Sequence, residues 1–429
     1  MEAADIAFVV ICAAMVMLMT PGLAFFYGGM IRVKSALNML MMCFIAMGIS
    51  SVLWVLYGFS LAFGSDVNGS GGGVVGNLDF VGFKDMLSVA DSDTWLAFAV
   101  FQLMFAVLTP ALMSGALADR VKFSSWAVFI ALWVTVVYFP VAHWVWGGDG
   151  WIAALELDGR EVIDFAGGTA VHINAGIGAL AAVLVVGKRI GFKKDPMRPH
   201  NLPMVLLGAA LLWFGWFGFN AGSELAANGT AALMALNTMV ATGAAVLGWL
   251  IYERVRHGAY TTLGAASGAI AGLVAITPAG ADVNPMGAVA IGVVSGAVCA
   301  WAVSLKYKLG YDDSLDVVGV HLFGGLIGTL MVGFLAINGV GGVSQFALQA
   351  VAAFSVMAYS FVVTWILAKL IQVTIGLRST EEEETVGLDQ VYHAETGYDF
   401  SQTGSGSLTA GSTVTAPAPA ASGEKKVDA

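Results

Sequence analysis

Charged residues are scarce in this chain. Asp, Glu, Lys and Arg make up 11% of its 429 residues, whereas a soluble domain carries about 25%. Hydrophobic residues account for 58%. A water-soluble fold of this size lacks the charge to cover its surface, which excludes an ordinary cytosolic enzyme. The composition predicts a polytopic membrane protein, and the long apolar runs described below make it all-α.

Cysteine and positive charge are also scarce. The three cysteines, Cys12, Cys43 and Cys299, lie in apolar runs without C-x-x-C spacing. We interpret them as helix-packing residues and not as a disulfide or metal framework. Lys and Arg number 19 against 29 Asp and Glu, a net charge of −10, so no nucleic-acid partner is predicted. Glycine is abundant, with 54 residues, as closely packed transmembrane helices require.

Eleven apolar stretches are long enough to cross a bilayer, which takes about 20 residues. They cover approximately residues 5–30, 36–64, 95–118, 123–146, 165–187, 202–222, 230–252, 261–278, 286–306, 317–338 and 344–375. The first stretch lacks two features of a signal peptide. No basic region precedes it, and no small-residue cleavage site separates it from the second apolar stretch. It is therefore predicted to be a retained helix and not a signal peptide.

Basic residues are distributed unequally between alternate loops. With the N-terminus placed outside, thirteen Lys and Arg residues fall on inside loops, and only Lys84 and Arg160 fall on outside loops. The positive-inside rule then predicts an outside N-terminus and a cytoplasmic C-terminus. An odd number of spans agrees with this orientation. The predicted location is the cell membrane.

The composition changes after Arg378, which divides the chain into three regions. Residues 1–378 form the predicted transmembrane domain. Residues 379–400 are acidic, and we expect them to dock on the cytoplasmic face through the apolar side chains Leu388, Val391, Tyr392, Tyr398 and Phe400. Residues 401–429, rich in Ser, Thr, Gly, Ala and Pro, form a predicted disordered low-complexity tail.

Two histidines lie inside predicted spans. His172 stands in DFAGGTAVHINAG and His321 in DVVGVHLFGG, so both follow the pattern V-H-x-x-x-G. Each has an aspartate upstream, Asp164 and Asp316 respectively. Because five spans separate the motifs, the two halves enter the membrane from opposite sides. This predicts two inverted five-helix repeats plus a final helix, with the working site between the repeats.

An ionisable residue at membrane depth is costly and indicates a functional site. A histidine that packs between helices and bonds a carbonyl group is the alternative for either residue alone, but matched positions in two repeats favour function. Zinc normally needs at least three protein ligands, and no third ligand accompanies His172 and His321. No metal or cofactor is predicted. Neutral imidazoles exchange protons near neutral pH and offer a polar edge to a small solute.

Several longer motifs stand in order over residues 5–400. They are TPGLAFFYGGMIR, FQLMFAVLTPALMSGALADR, AHWVWGG, DFAGGTAVHINAG, RPHNLPMVLLGAALLWFGWFGFNAGS, ASGAIAGLVAITPA and DVVGVHLFGG. Together they resemble the ammonium transporter (Amt/Mep/Rh) family, on its bacterial Amt branch. The resemblance implies eleven helices around one narrow pore per subunit, a homotrimer, and ammonium as substrate with methylammonium as an analogue.

The resemblance also implies roles for residues near the outer entrance. An NH4+ recruitment site matches Phe105, Trp146 and Ser223, and an outer gate matches Phe105 with Phe219. The chemistry is reasonable, because aromatic faces attract cations by about 0.5–2 kcal/mol and the Ser223 hydroxyl can accept an N–H bond that K+ does not need. For Trp146 the alternative is an interfacial belt tryptophan.

Further positions match by family pattern. Asp164 matches an aspartate associated with the outer site and proton transfer, although an N-cap role explains it equally well, and we expect structural or electrostatic support from it. Trp216 matches a pore-lining tryptophan. Leu23 and Val317 are expected to narrow the inner exit. Asp316 is expected to cap the tenth span.

The twin pore histidines of the family match His172 and His321, and they suggest two transport modes. Net NH4+ transfer, as NH3 with a separately carried proton, is electrogenic, whereas conduction of NH3 alone is electroneutral. We favour the first. The alternatives include an ammonium sensor that acts through a bound partner, a cation-coupled amino-acid transporter, and an intramembrane enzyme or metal carrier. No nucleophile motif or H-E-x-x-H supports an enzyme.

A signalling partner is implied for the inner face. The segment RSTEEEETVGLDQVYHAETGYDF resembles the tail region that supports binding of a PII-type nitrogen-signalling protein in this family. The acidic run at Glu381–Glu384 is equally compatible with a solvated patch.

Overall fold

The computed structural model of the chain describes residues 1–67, 73–84, 86–88 and 92–398. Phe400 and the predicted disordered tail lie outside these residues. Within them, ten helices are long and apolar enough to cross a membrane, and a shorter apolar helix makes eleven. In chain order, α1 to α11 are Ala3–Met30, Val33–Phe63, Ser92–Leu117, Phe123–Trp146, Gly168–Val186, Leu202–Gly222, Gly229–His257, Thr262–Ile276, Pro285–Leu309, Val318–Leu335 and Val343–Thr374. The all-α polytopic prediction is confirmed.

Two helices differ in length from their apolar stretches. α8 has 15 residues, which rise about 22 Å at about 1.5 Å per residue. It is short because the Thr261 hydroxyl caps its start by accepting a bond from the Gly264 nitrogen, and it ends before Thr277-Pro278. α7 instead continues to His257, beyond the apolar stretch, because a helix does not need hydrocarbon around its last turn.

The remaining described elements are small. A two-stranded antiparallel hairpin, β1 at Glu156–Leu157 and β2 at Arg160–Glu161, lies between α4 and α5. A 3-10 turn covers Val81–Phe83. Two short helices, α12 at Glu381–Val386 and α13 at Leu388–His393, follow α11.

Glycine allows α1 and α6 to pack closely. A Cβ atom on Gly208 of α6 would clash with the backbone nitrogen of Phe26, and one on Gly22 of α1 would lie 3.0 Å from the Cβ atom of Leu211. Small residues at a helix contact allow such an approach within a membrane, where van der Waals packing drives association. The high glycine content is therefore used at helix interfaces.

The two histidine helices, α5 and α10, begin alike at opposite ends of the bundle. Each opens with a π-helical segment, Gly168–Ile173 in α5 and Val318–Leu322 in α10. α10 begins beside Ser314, which bonds Arg120, whereas α5 begins beside the C-terminal end of α4 at Trp146. This opposite direction is what inverted repeats require, and π-helical turns are frequent at functional sites.

Asp316 does not cap α10, so that prediction is wrong. Its carboxylate lies 2.7 Å from the Lys306 ammonium nitrogen. Asp313 accepts bonds from the backbone nitrogens of Val317 and Val318, at 3.0 and 2.7 Å. Asp313 precedes His321 by eight residues, as Asp164 precedes His172. Asp313 is therefore the repeat partner of Asp164, and burial raises the pKa of this carboxyl above its usual range.

The end of the bundle that carries Arg32, Arg120, Arg189 and Arg378 is called the basic face here. Arg120 is fully buried and donates to the carbonyl oxygens of Gly187, Ala118 and Asp312 and to the Ser314 hydroxyl. Burial lowers the pKa of its guanidinium to about 10. These bonds satisfy a buried charge, which would otherwise be strongly destabilising.

Arg189 and Asp312 form a second buried pair at the basic face. The Arg189 guanidinium donates to both carboxylate oxygens of Asp312, at 3.0 and 2.8 Å. Burial raises the pKa of Asp312, but the hydrogen bonds and charge of Arg189 outweigh it, and the net shift is downward. Such bidentate pairs fix geometry, and this one joins the loop after α5 to the loop before α10.

Glu384 fastens α12 to the basic face. Its carboxylate is buried and accepts bonds from the Ile190 nitrogen at 2.8 Å, from Arg378 at 3.0 Å and from Arg32 at 3.4 Å. On α13, the Asp389 carboxylate accepts bonds from the nitrogens at the start of α2, Leu37 and Asn38, at 3.0 and 2.7 Å. The segment after α11 thus contacts α2 and the loop after α5.

Glu384→Gln is expected to loosen this segment. The change removes a buried negative charge shared by two partly exposed arginines, at a cost of about 1–3 kcal/mol. Amide hydrogen exchange of α12 and α13 should accelerate, while exchange in α5 and α10 stays slow. Glu382→Gln, at an exposed position on the same helix, is the matched control. Equal exchange rates in the two variants would contradict the anchoring role.

Candidate functional site

Three aromatic rings meet near the end of the bundle opposite the basic face. Phe105 of α3 and Phe219 of α6 are fully buried, and their ring centroids lie 4.3 Å apart at 32°. Trp146 of α4 meets Phe105 edge-on, with centroids 5.8 Å apart at 87°. The structure thus brings together the three aromatic residues of the predicted recruitment site and gate.

A cavity of 160 Å³ lies beside these rings and is called the aromatic cavity here. Its lining residues are Phe98, Gln102, Trp146, Phe165, Ser223 and Leu225. The Trp146 indole donates to the Asp164 carbonyl oxygen at 2.9 Å, which fixes the ring. The Ser223 hydroxyl donates to the Phe219 carbonyl oxygen at 2.8 Å. Its remaining lone pairs are available to a donor in the cavity.

Sequence reasoning missed four residues of the aromatic cavity: Phe98, Gln102, Phe165 and Leu225. A signal existed for two of them, because Phe98, Gln102 and Phe105 share one face of α3 at spacings of four and three residues. Phe165 follows Asp164 directly. Leu225 adopts a positive φ of 58°, and no sequence pattern marks it.

The two histidines lie beneath Phe219. The His172 ring lies 5.9 Å from the Phe219 ring and 5.4 Å from the Trp216 ring, and it lies edge to edge with the His321 ring, with centroids 5.3 Å apart and planes inclined by 17°. The Nδ1 atoms of His172 and His321 are 3.3 Å apart, and both side chains are buried. One ring must donate and the other accept, so the pair shares one proton between two nitrogens.

Reciprocal glycine contacts hold the histidines in register. A Cβ atom on Gly176 would lie 2.7 Å from the Leu322 Cβ atom, next to His321, and one on Gly325 would lie 3.0 Å from Ile173, next to His172. These are the glycines of the two V-H-x-x-x-G motifs. Each motif therefore supplies a histidine and the space that the other helix needs.

A chain of hydrogen bonds through Thr277, Asn220 and Thr238 anchors Trp216. Its indole nitrogen donates to the Thr277 hydroxyl at 2.9 Å, and Thr277 lies 3.3 Å from the Asn220 carboxamide oxygen. Asn220 in turn donates to Thr238 at 2.9 Å. All four are fully buried. The chain fixes the orientation of the ring that stacks on His172.

Thr277→Val is expected to lower transport several-fold. Valine keeps the shape but leaves the Trp216 indole without an acceptor, a cost of about 1–3 kcal/mol, so the ring loses its fixed contact with His172. Thr277→Ser should retain transport. Methylammonium uptake per folded protein measures the effect.

Thr364→Val is the matched control for this prediction. Thr364 accepts a 2.9 Å bond from the buried indole of Trp133, which has no ring contact with the histidines. The Thr364 variant should lose stability without the same loss of uptake. Equal losses in both valine variants would mean that the Thr277 effect is one of general stability.

Asp164 lies just before α5, and the residue is 7% exposed. It accepts bonds from the Thr169 nitrogen at 3.0 and 3.1 Å and from the Ala170 nitrogen at 2.9 Å. The carboxylate therefore satisfies nitrogens at the start of α5 and places negative charge near the aromatic cavity. The N-cap residue of α5 is Gly167, so Asp164 supports the first turn of the helix from a position three residues upstream of the N-cap.

Leu23 and Val317 lie on the basic-face side of the histidines and are both buried. A Cβ atom on Gly115 would lie 2.6 Å from the Tyr27 ring and 2.9 Å from a Val317 methyl group, so Tyr27 and Val317 lie close together. Tyr27 donates to the Leu112 carbonyl oxygen at 3.1 Å. Sequence reasoning missed Tyr27. The narrowing by Leu23 and Val317 stays a prediction.

Comparisons with known proteins agree with this architecture. The model of the Ammonium Transporter Family matches residues 7–398. An ammonium transporter of Mycobacterium tuberculosis is 54% identical over 441 residues, covering 93% of this chain and 91% of the relative. The chain therefore belongs to the Ammonium Transporter Family. The curated relative is named an ammonium transporter.

Solved structures show the same fold. The crystal structure of Saccharomyces cerevisiae Mep2 has a TM-score of 0.80 at 35% identity, covering 89% of this chain and 91% of Mep2. A structure titled "Sensor Amt Protein" has a TM-score of 0.84 at 31% identity, covering 91% of this chain and 98% of that one.

Proposed function

We propose that this ammonium transporter recruits NH4+ at the aromatic cavity, deprotonates it, and passes NH3 along the histidine pair while the proton is carried separately. The net process moves one charge. The observation that carries the proposal is the His172–His321 pair, with Nδ1 atoms 3.3 Å apart, directly beneath the closed Phe105–Phe219 contact.

Recruitment rests on Phe105, Trp146 and Ser223. The Trp146 indole is held by the Asp164 carbonyl oxygen, so its face is fixed before a cation arrives. A cation over such a ring gains about 0.5–2 kcal/mol. The Ser223 lone pairs add an acceptor for one N–H group. The Asp164 carboxylate supports the site through its negative charge.

The closed ring contact favours deprotonation. With centroids 4.3 Å apart, the Phe105 and Phe219 rings leave no passage for a hydrated ion. Moving a bare cation into an apolar region costs several kcal/mol, and hydrophobic constrictions block ions by dewetting. Neutral NH3 avoids that cost once the rings shift. Phe105 and Phe219 therefore act as the gate.

The histidine pair gives NH3 and the proton a polar route through an apolar interior. Trp216 stacks on His172 and keeps it in line with His321. A proton that passes along these rings follows the membrane potential, which supplies about 2.3 kcal/mol per charge per 100 mV. Electroneutral conduction of NH3 alone is the rival mode.

Current measurements in proteoliposomes separate the two modes. An ammonium gradient should produce a transient inward positive current that scales with the amount of protein. A pH-sensitive dye inside the vesicles reports the flux independently. Full flux without current would refute the electrogenic mode, and protein-free vesicles give the background.

The orientation and the domain division rest on loop charge and on contacts at the basic face. We place the N-terminus outside and the C-terminus in the cytoplasm of a cell-membrane protein, with residues 1–378 as the transmembrane domain. Residues 379–400 dock on its inner face, an assignment supported by the buried contacts of Glu384 and Asp389. Protease accessibility of the C-terminus in inverted and right-side-out vesicles tests the orientation.

Two partners follow from family membership. The first is two further copies of the chain in a homotrimer, which native mass spectrometry tests. The second is a PII-type signalling protein on the basic face. Pull-down with the host's own PII protein, with and without ATP and 2-oxoglutarate, tests it; absence of binding in every state counts against it.

An ammonium sensor acting through a bound partner is a second candidate. The likeness to the structure titled "Sensor Amt Protein" favours it. A sensor is expected to move little substrate while its partner binding changes with ammonium. High turnover together with ammonium-independent partner binding would exclude this candidate.

A further inference from the structure

Gln102 places an uncompensated polar group beside the aromatic cavity. Its side chain is 9% exposed and lines the cavity with Trp146 and Ser223. Among the described residues, no donor reaches its buried oxygen Oε1. Neither does its amide nitrogen bond any of them, so no hydrogen bond fixes the carboxamide. A half-turn about its last side-chain bond presents the oxygen to the cavity.

An unbonded, buried carboxamide oxygen is costly, which calls for an explanation. The lining residues other than Gln102, Ser223 and the indole of Trp146 are apolar. The Trp146 nitrogen already donates to Asp164. With the carboxamide turned in this way, the cavity offers two acceptors, Gln102 Oε1 and Ser223 Oγ, together with aromatic faces.

We propose that Gln102 Oε1 is a further ammonium-binding group that accepts an N–H bond from NH4+ in the aromatic cavity. The inference rests on the proposed recruitment of NH4+ there. NH4+ carries four N–H donors. The two oxygens take two of them, and the ring faces take the others. A hydrogen bond to a charged donor is among the stronger ones in proteins, so Gln102 contributes to affinity.

The position of Gln102 on α3 couples it to the gate. Gln102 lies three residues before Phe105 on the same helical face. A cation held in the aromatic cavity by Gln102 and Ser223 lies beside Trp146, which meets Phe105 edge-on. Ser223 in turn donates a hydrogen bond to the backbone carbonyl oxygen of Phe219. Each acceptor is thus linked to one member of the closed pair, Gln102 through the backbone of α3 and Ser223 through this bond.

Gln102→Met tests the proposal, because methionine keeps the length of the side chain and removes the acceptor oxygen. The half-saturation concentration for labelled methylammonium uptake should rise about tenfold, the effect of one lost charge-assisted bond. Gln102→Glu retains acceptor oxygens, so its half-saturation concentration should stay at or below that of the unmodified protein. The opposite behaviour of the two variants keeps the test valid if either is less stable.

Gln345→Met is the matched control. Gln345 on α11 is also fully buried with an unbonded Oε1, but it does not line the aromatic cavity. Its variant should keep the half-saturation concentration unchanged. An unchanged value in Gln102→Met, or an equal rise in Gln345→Met, would overturn the proposal. Uptake of labelled methylammonium measures the amount of substrate moved, whether it crosses as a cation or as a neutral molecule. The result is therefore independent of whether transport is electrogenic.

Discussion

Replacing His172 by alanine is expected to reduce ammonium current and methylammonium uptake at least roughly thirtyfold. The change removes one half of the buried Nδ1–Nδ1 contact and leaves apolar surface where NH3 needs a hydrogen-bond partner. Placing a polar group in apolar surroundings without a partner costs about 2 kcal/mol or more, which corresponds to about that factor. His321→Ala should behave in the same way.

The control for the histidine prediction is His143, a third buried histidine. Its Nδ1 atom lies 3.1 Å from the Ala62 carbonyl oxygen, and within the described residues its ring has no contact with the His172, His321 or Phe219 rings. His143→Ala should reduce stability but leave uptake per folded protein nearly unchanged. Potassium as a competitor shows whether selectivity survives in each variant. Normal current in His172→Ala would refute the relay.

Phe219→Ala is expected to open the pore to K+. The ring closes against Phe105 at 4.3 Å and covers His172 at 5.9 Å, so its loss lets water reach the histidines. Hydration lowers the cost that excludes a cation, and each 1.4 kcal/mol recovered raises flux tenfold. We therefore expect K+ flux at least about tenfold above background in proteoliposomes.

Phe129→Ala serves as the control for the gate. Phe129 is as fully buried as Phe219 but stacks on Trp126, with centroids 5.6 Å apart. This variant should show no K+ flux above background. If folded Phe219→Ala protein still excludes K+, the Phe105–Phe219 ring pair is not the barrier to K+.

The sequence predicted the histidine pair because two identical motifs carried it. V-H-x-x-x-G appears in both halves, and the glycines proved as necessary as the histidines, since each accommodates the opposite helix. The same comparison assigned the wrong carboxylate in the second half. Asp316 lies closer to the motif, but the π-helical start of α10 directs its nitrogens at Asp313.

Gln102 and Tyr27 illustrate what a sequence pattern misses. Gln102 shares a helical face with Phe105, but that spacing does not show that its oxygen lacks a partner. A tyrosine at the end of a span is indistinguishable from an interfacial residue. The relevance of Gln102 follows from Ser223, more than a hundred positions away. That of Tyr27 follows from Leu112, 85 positions away. Only the packing of separate helices places them.

By itself the sequence determined the membrane class, the eleven helices and their two related halves. These properties depend on the length and polarity of contiguous stretches, because each span must match the hydrocarbon thickness and satisfy its own backbone hydrogen bonds. The tertiary structure decided which ring faces which, which carboxylate caps each histidine helix, and which polar atom remains without a partner. Those outcomes depend on contacts between helices far apart in the chain.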